Sequence, residues 1–159
     1  MEIQPAQEKD IIDVLYLLKK EMENNSPEAN YRLPVPDYLF LKEEIRLDRL
    51  FILKHHKISI GTFSTEPEAS GGQAGRGNPT LKIHRMALTP YWVNQQTIQE
   101  LLCFLEQHAR KKRFAAIRFN INSPNEKINA FYQKLNLDFL GKASHPSLEH
   151  PFLLYEKSL

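Results

Sequence analysis

The sequence predicts a mixed α/β chain: a central mixed sheet with helices on both faces. Three observations predict it. Strand-like apolar runs recur at 50–53, 58–65, 81–88 and 116–121. Helical spacing of apolar residues fills 7–23 and 94–111. The two kinds of segment alternate along the chain instead of separating into halves, which suits a sheet covered by helices. With 159 residues, 42% hydrophobic and 25% charged, one domain over residues 1–159 is long enough for a real core.

Residues 1–4 form a short strand that stops at Pro5. Ile11, Val14, Leu15, Leu18 and Met22 share a helical face, and the breaker cluster Asn24-Asn25-Ser26-Pro27 ends that helix. Residues 30–36 are a loop with two prolines. Residues 37–47 are helical again, with Leu41 and Ile45 one turn apart. Strands at 50–53 and 58–65 flank a His55-His56-Lys57 turn. A glycine-rich connection over 67–79 leads into the strand 81–88. The helix 94–111 buries Ile98, Leu101, Leu102, Leu105 and Ala109. In 116–121, Ile117, Phe119 and Ile121 face one way and Arg118 and Asn120 the other. A helix at 125–135 and strands at 139–142 and 152–156 complete the chain. The strand–helix–strand succession from 81 to 121 predicts adjacent, parallel strands, because such crossovers join parallel neighbours.

Composition excludes several function classes. A net charge of +2, with basic residues dispersed and not interleaved with aromatics, argues against a nucleic-acid partner. The run from Arg110 to Arg113 reads as the solvated end of a helix, where cations meet the dipole favourably. Cys103, between Leu102 and Phe104, reads as a small core hydrophobe. The N-terminus lacks a basic leader and no apolar run spans a bilayer, so no membrane partner is expected and the cytoplasm is the expected compartment. His55-His56 lacks the third ligand of a metal site, so no metal is expected.

Residues 125–137 carry the most informative pattern. Asn125, Tyr132, Lys134 and Leu135 are spaced so that the segment resembles the acyl-CoA-side helix of the GNAT superfamily of N-acetyltransferases, Asn-x-x-Ala-x-x-x-Tyr-x-Lys-x-Gly-Phe. Ile128 replaces the Ala, and Asn136-Leu137 replaces the Gly-Phe. The resemblance implies a partly splayed GNAT-like sheet and acetyl transfer from acetyl-CoA, the co-substrate, to a small-molecule or peptide amine. A homodimer is the candidate assembly. It assigns residues 83–90 to the strand whose bulge polarises the thioester carbonyl, with main-chain contacts from Met86 to Leu88. It makes Tyr132 the proton donor to the leaving thiolate, and Asn125 a contact to the pantetheine arm.

Each assignment has a plainer reading. Tyr132 also fits a core aromatic, Asn125 a helix N-cap, and His84 either a general base or a packed or exposed strand histidine. Tyr91 and Trp92 either pack over the helix start or stack on an adenine. After Pro90 the family has a glycine-bearing turn whose N–H groups cradle the CoA pyrophosphate. The corresponding donors here are Asn94, Gln95, Gln96 and Thr97. Val93, Gln96 and Ile98 replace the Arg or Gln, the first Gly and the second small residue, and are expected to crowd the turn. Gly71 to Gly77 precedes a strand, so it reads as a flexible connection and not as a phosphate loop. That degenerate turn favours the alternative function, a GNAT-fold binding module without chemistry.

Overall fold

The computed structural model describes residues 1–25, 36–68, 79–121, 136–143 and 152–159. Among these, the elements are β1 (Glu2–Pro5), α1 (Ile11–Asn25), α2 (Tyr38–Arg46), β2 (Leu50–His55), β3 (Ile58–Glu68), β4 (Thr80–Leu88), α3 (Gln95–Lys111), β5 (Ala116–Ile121), β6 (Asp138–Ala143) and β7 (Phe152–Ser158). Single 3₁₀ turns precede α1 and α3. The strands form one sheet in the order β1-β2-β3-β4-β5-β7-β6. β1–β2, β2–β3, β5–β7 and β6–β7 are antiparallel. β4 and β5 are adjacent and parallel, as the strand–helix–strand succession predicts. The glycine-rich segment 71–77 and the segment 125–135, with Asn125 and Tyr132, lie outside the described residues.

The chain divides into two compact units: Met1–Thr65 with Arg85–Leu101, and Glu66–His84 with Leu102–Leu159. In the first, Ile11, Val14, Leu17 and Leu18 of α1 pack with Leu41 of α2, Leu50 and Ile52 of β2, and Ala87 of β4. Burying each of the larger aliphatic side chains contributes about 1.5–3 kcal/mol. α2 starts where Asp37 accepts the Phe40 N–H at 2.8 Å. It ends at Asp48, whose φ of +54° lets Arg49 N–H reach the Glu44 carbonyl at 2.9 Å. The β2–β3 turn is tighter than the three-residue turn expected from sequence. Only His56 and Lys57 form it, both left-handed at φ +45° and +70°, while His55 stays in β2. Positive φ at both central residues gives the turn a twist that matches the strands. Phe51 and Phe63, opposite each other across the hairpin, stack at 5.0 Å.

In the second unit, β4 and β5 pair from Thr80↔Ala116 to Ile83↔Phe119. Leu81, Ile83, Ile117 and Phe119 are buried, while Arg118 on the alternate face bonds Glu68 and Glu156. The distal part of α3 turns Leu102, Leu105 and Ala109 inward. Cys103 is exposed, which corrects its reading as a core residue. At 100° per residue it lies 200° from both Leu101 and Leu105, on the opposite side from the buried stripe. The basic run does end the helix. Arg113 is left-handed at φ +63°, and Phe114 N–H bonds the Ala109 carbonyl at 2.9 Å.

Candidate active site

The candidate site lies in the first unit, where β4 runs into α3. Along β4 the burial alternates, with Leu81 and Ile83 inward, and then breaks at Arg85. Arg85 is exposed and left-handed, at φ +49°. Such a backbone is uncommon for a residue with a Cβ and interrupts the regular extended strand. The alternation resumes with Ala87, which is buried, between half-buried Met86 and Leu88. The Arg85 guanidinium lies over the Phe40 ring of α2, 4.3 Å from its centroid. His84, in the second unit, is half-buried in the same strand.

Gly61 on β3 sets the position of this segment. A Cβ there would stand 2.8 Å from Leu88 Cδ1 and 2.9 Å from the Ala87 carbonyl oxygen. Thr89 N–H then donates to the Ile60 carbonyl at 2.9 Å, fixing the exit of β4. The sequence reading did not single out Gly61. Its signal was available: a lone Gly inside an apolar strand marks close backbone approach.

The turn that follows is ordered differently from expectation. Val93, at φ −78° and ψ 80°, is the centre of an inverse γ-turn in which Asn94 N–H bonds the Trp92 carbonyl at 2.9 Å. Asn94 caps α3, its Oδ1 accepting the Thr97 N–H at 3.0 Å. Two of the four expected anion donors, Asn94 and Thr97, therefore already have protein acceptors. The N–H groups of Gln95 and Gln96 are left in the first helical turn, where no intrahelical acceptor exists. Ile98 is buried, so its side chain turns into the core and not over the turn. That corrects its expected role as an obstruction. Gln96 is exposed and bonds Glu100 at 3.2 Å, so its side chain alone stands where glycine was expected. Beside the turn, Trp92 contacts His55 at 4.5 Å and Tyr91 at 5.6 Å, and His55 contacts His56 at 4.2 Å. Tyr91 is 86% exposed, while half-buried Trp92 packs on the hairpin.

No protein-family model and no curated protein matches the sequence. Solved structures do match. A ribosomal-protein-alanine N-acetyltransferase from Brucella melitensis superposes with a TM-score of 0.74 over 100% of both chains, at 16% identity. A GNAT-family acetyltransferase from Streptococcus agalactiae gives 0.76 over 99% of this chain and 95% of its own, at 14% identity. This chain has the GNAT fold. An N-acetylglutamate synthase from Neisseria gonorrhoeae, solved with coenzyme A and N-acetyl-glutamate, contains the same fold. It gives 0.71 over 99% of this chain and 35% of its own, at 16% identity. Within this GNAT fold the left-handed Arg85 falls in the fourth strand, immediately before Met86–Leu88. The capped start of α3 follows the fourth strand directly. Among the described residues no three His, Cys, Asp or Glu side chains are grouped to hold a metal, and no helix is long and apolar enough to cross a membrane.

Proposed function

We propose that this chain transfers an acetyl group from acetyl-CoA to an amine. The observation that carries the reading is the left-handed backbone at Arg85 directly before Met86–Leu88, within the GNAT fold. The main-chain N–H of Leu88 or of a neighbour in this segment would donate to the thioester oxygen, stabilising the charge that develops there. The N–H groups of Gln95 and Gln96, at the positive end of α3, would hold the pyrophosphate. The residues present fit that group, with two donors instead of four.

The acetyl thioester supplies an activated acyl group. The amine nitrogen bonds to the carbonyl carbon, the carbon–sulfur bond breaks, and the nitrogen loses a proton as the sulfur gains one. Tyr132 is the residue proposed to give that proton, since a phenol of pKa ~10 is a suitable donor to a thiolate. His84 is the proposed base that keeps the amine neutral. Asn125 is a proposed contact to the pantetheine arm. The acceptor is a small-molecule or peptide amine.

Calorimetric titration with acetyl-CoA, followed by a thiol-release screen over amines, tests the reading. Binding together with turnover supports it. Tyr132→Phe should then lower kcat by about 10²–10⁴-fold with little change in KM for acetyl-CoA. An unchanged kcat returns Tyr132 to a packing role. A second reading, a GNAT-fold module without chemistry, is favoured by Asn94 and Thr97, whose N–H groups are already bonded within the protein. The absence of both binding and turnover in the titration and screen supports that module.

A further inference from the structure

Helix α1 turns Ile11, Val14, Leu17 and Leu18 into the core of the first unit. Ile12 and Tyr16, one turn apart on the opposite side, are 69% and 60% exposed. Two side-chain contacts set what flanks them. Glu8 pairs with Lys42 of α2 at 3.3 Å, and the Asp13 carboxylate accepts the Ser59 hydroxyl of β3. At 100° per residue, Glu8 and Asp13 lie on opposite flanks of the Ile12–Tyr16 line. So α2 borders that line on one side and the start of β3 on the other. Leu39, one turn before Lys42, is 74% exposed, and Ile58, next to Ser59, is 68% exposed. A single exposed hydrophobe needs no explanation, but four gathered around one helix mark an interaction surface.

The charges along α1 name the occupant. Lys9 lies seven residues before Tyr16 and Glu23 seven after. Asp13 lies three before and Lys20 four after. All four are exposed and fall on the Ile12–Tyr16 side of the helix. Residues at matched distances from Tyr16 therefore carry opposite charge. A second copy laid antiparallel, about a two-fold axis at Tyr16, sets Lys9 against Glu23 of the partner subunit and Asp13 against Lys20 of the partner subunit. A parallel copy would set each charge against its like, which is destabilising. These groups also contact their own chain, Ser59 on Asp13 and Lys20 on Glu23 at 2.9 Å, without changing the pattern of signs. An apolar centre inside a charged rim is the usual anatomy of a protein interface.

We propose that this face, centred on Tyr16, joins two copies of the chain, paired antiparallel through α1. The pairing does not depend on the acetyl-transfer reading.

Sedimentation equilibrium of the whole chain over a concentration series tests it. Wild type should dimerise. Tyr16→Asp should raise the dissociation constant about tenfold to a hundredfold, while circular dichroism shows the variant folded. Lys9→Glu and Glu23→Lys should each raise it about tenfold at low salt. An equimolar mixture of those two variants should associate as wild type does, because each chain then meets the opposite charge at both contacts. Wild type that sediments as a monomer throughout the series overturns the proposal. A dimer left unchanged by Tyr16→Asp and by both charge reversals lies on another surface and also overturns it. A mixture that associates no better than its two components excludes the antiparallel register, with the same result. Should Tyr16→Asp fail to fold, the charge-reversed pair decides alone.

Discussion

At the scale of single residues, the direction in which a side chain points separates roles that spacing alone had merged. Ile98 and Gln96 both stand where small residues were expected, yet Ile98 is buried and Gln96 is exposed. Ile98→Ala should therefore lower stability by about 2–5 kcal/mol, read from the denaturant midpoint. It should not improve acetyl-CoA binding. Gln96→Gly should tighten acetyl-CoA binding by up to about tenfold if it restores one phosphate contact. It should cost up to about 1 kcal/mol of helix stability. Calorimetry on the two variants checks both, and tighter binding by Ile98→Ala would contradict the buried placement. Gly61 is sensitive for a different reason. The methyl of Gly61→Ala meets the Ala87 carbonyl, a backbone atom that moves only with β4. Overpacking of this kind costs about 1–3 kcal/mol, and here it also displaces the proposed carbonyl-binding segment. Acetyl transfer by Gly61→Ala should fall further than its melting temperature predicts, when compared with a variant of equal stability elsewhere.

At the scale of elements, two helices end on residues that resist the required conformation. Asp48 and Arg113 are left-handed at φ +54° and +63°, each closing its helix with the same pair of backbone hydrogen bonds. For a residue with a Cβ this geometry costs roughly 1 kcal/mol relative to glycine. Arg113→Gly should therefore raise the melting temperature by about 2–4 °C per kcal/mol gained, and Asp48→Gly should do the same. Circular dichroism melts check this, and a fall in both would mean that the charged side chains hold the caps. The helix faces themselves were legible from sequence. Ile98, Leu101, Leu102, Leu105 and Ala109 are all buried, as their spacing required. The same periodicity, applied fully, places Cys103 outside.

Across the whole molecule, buried Asp10 and half-buried His108 set separate pH windows. Burial pushes the Asp10 carboxyl up, but the Lys54 hydrogen bond at 2.7 Å, the Gln7 N–H at 2.8 Å and the charges of Lys54 and Lys9 outweigh it, so its pKa is lowered. A lowered carboxyl pKa adds stability that is present above the unfolded value, about 3.9, and is lost as pH falls through the folded value. For His108, burial and then Lys112 and Lys111 disfavour the cation, so its pKa is also lowered. Its contribution is present above about pH 6.5 and is lost as pH falls through the lower folded value. Denaturation midpoints between pH 7 and 3 should therefore show two declines. His108→Gln should remove the first. Asp10→Asn should remove the second and cost about 3 kcal/mol at neutral pH by leaving Lys54 without its partner. A single decline unaffected by His108→Gln would place the acid sensitivity elsewhere.

The sequence by itself determined the order of the described elements, the parallel pairing of β4 with β5 and most of the buried apolar positions on the described helices, Leu17 excepted. Those follow from local periodicity and chain connectivity, and both are written in consecutive residues. Through a resemblance carried by residues 125–137 it also pointed to the turn before α3 and to Met86–Leu88 as the segments proposed for the site. Only the tertiary structure decided which donors that turn leaves for an anion, because Asn94 spends its own side chain on Thr97. Only it brought Gly61 against Ala87 and Leu88, and Phe40 under Arg85. The contacts of Gly61 and Phe40 join residues tens of positions apart, where a pattern of neighbours carries no record of distance.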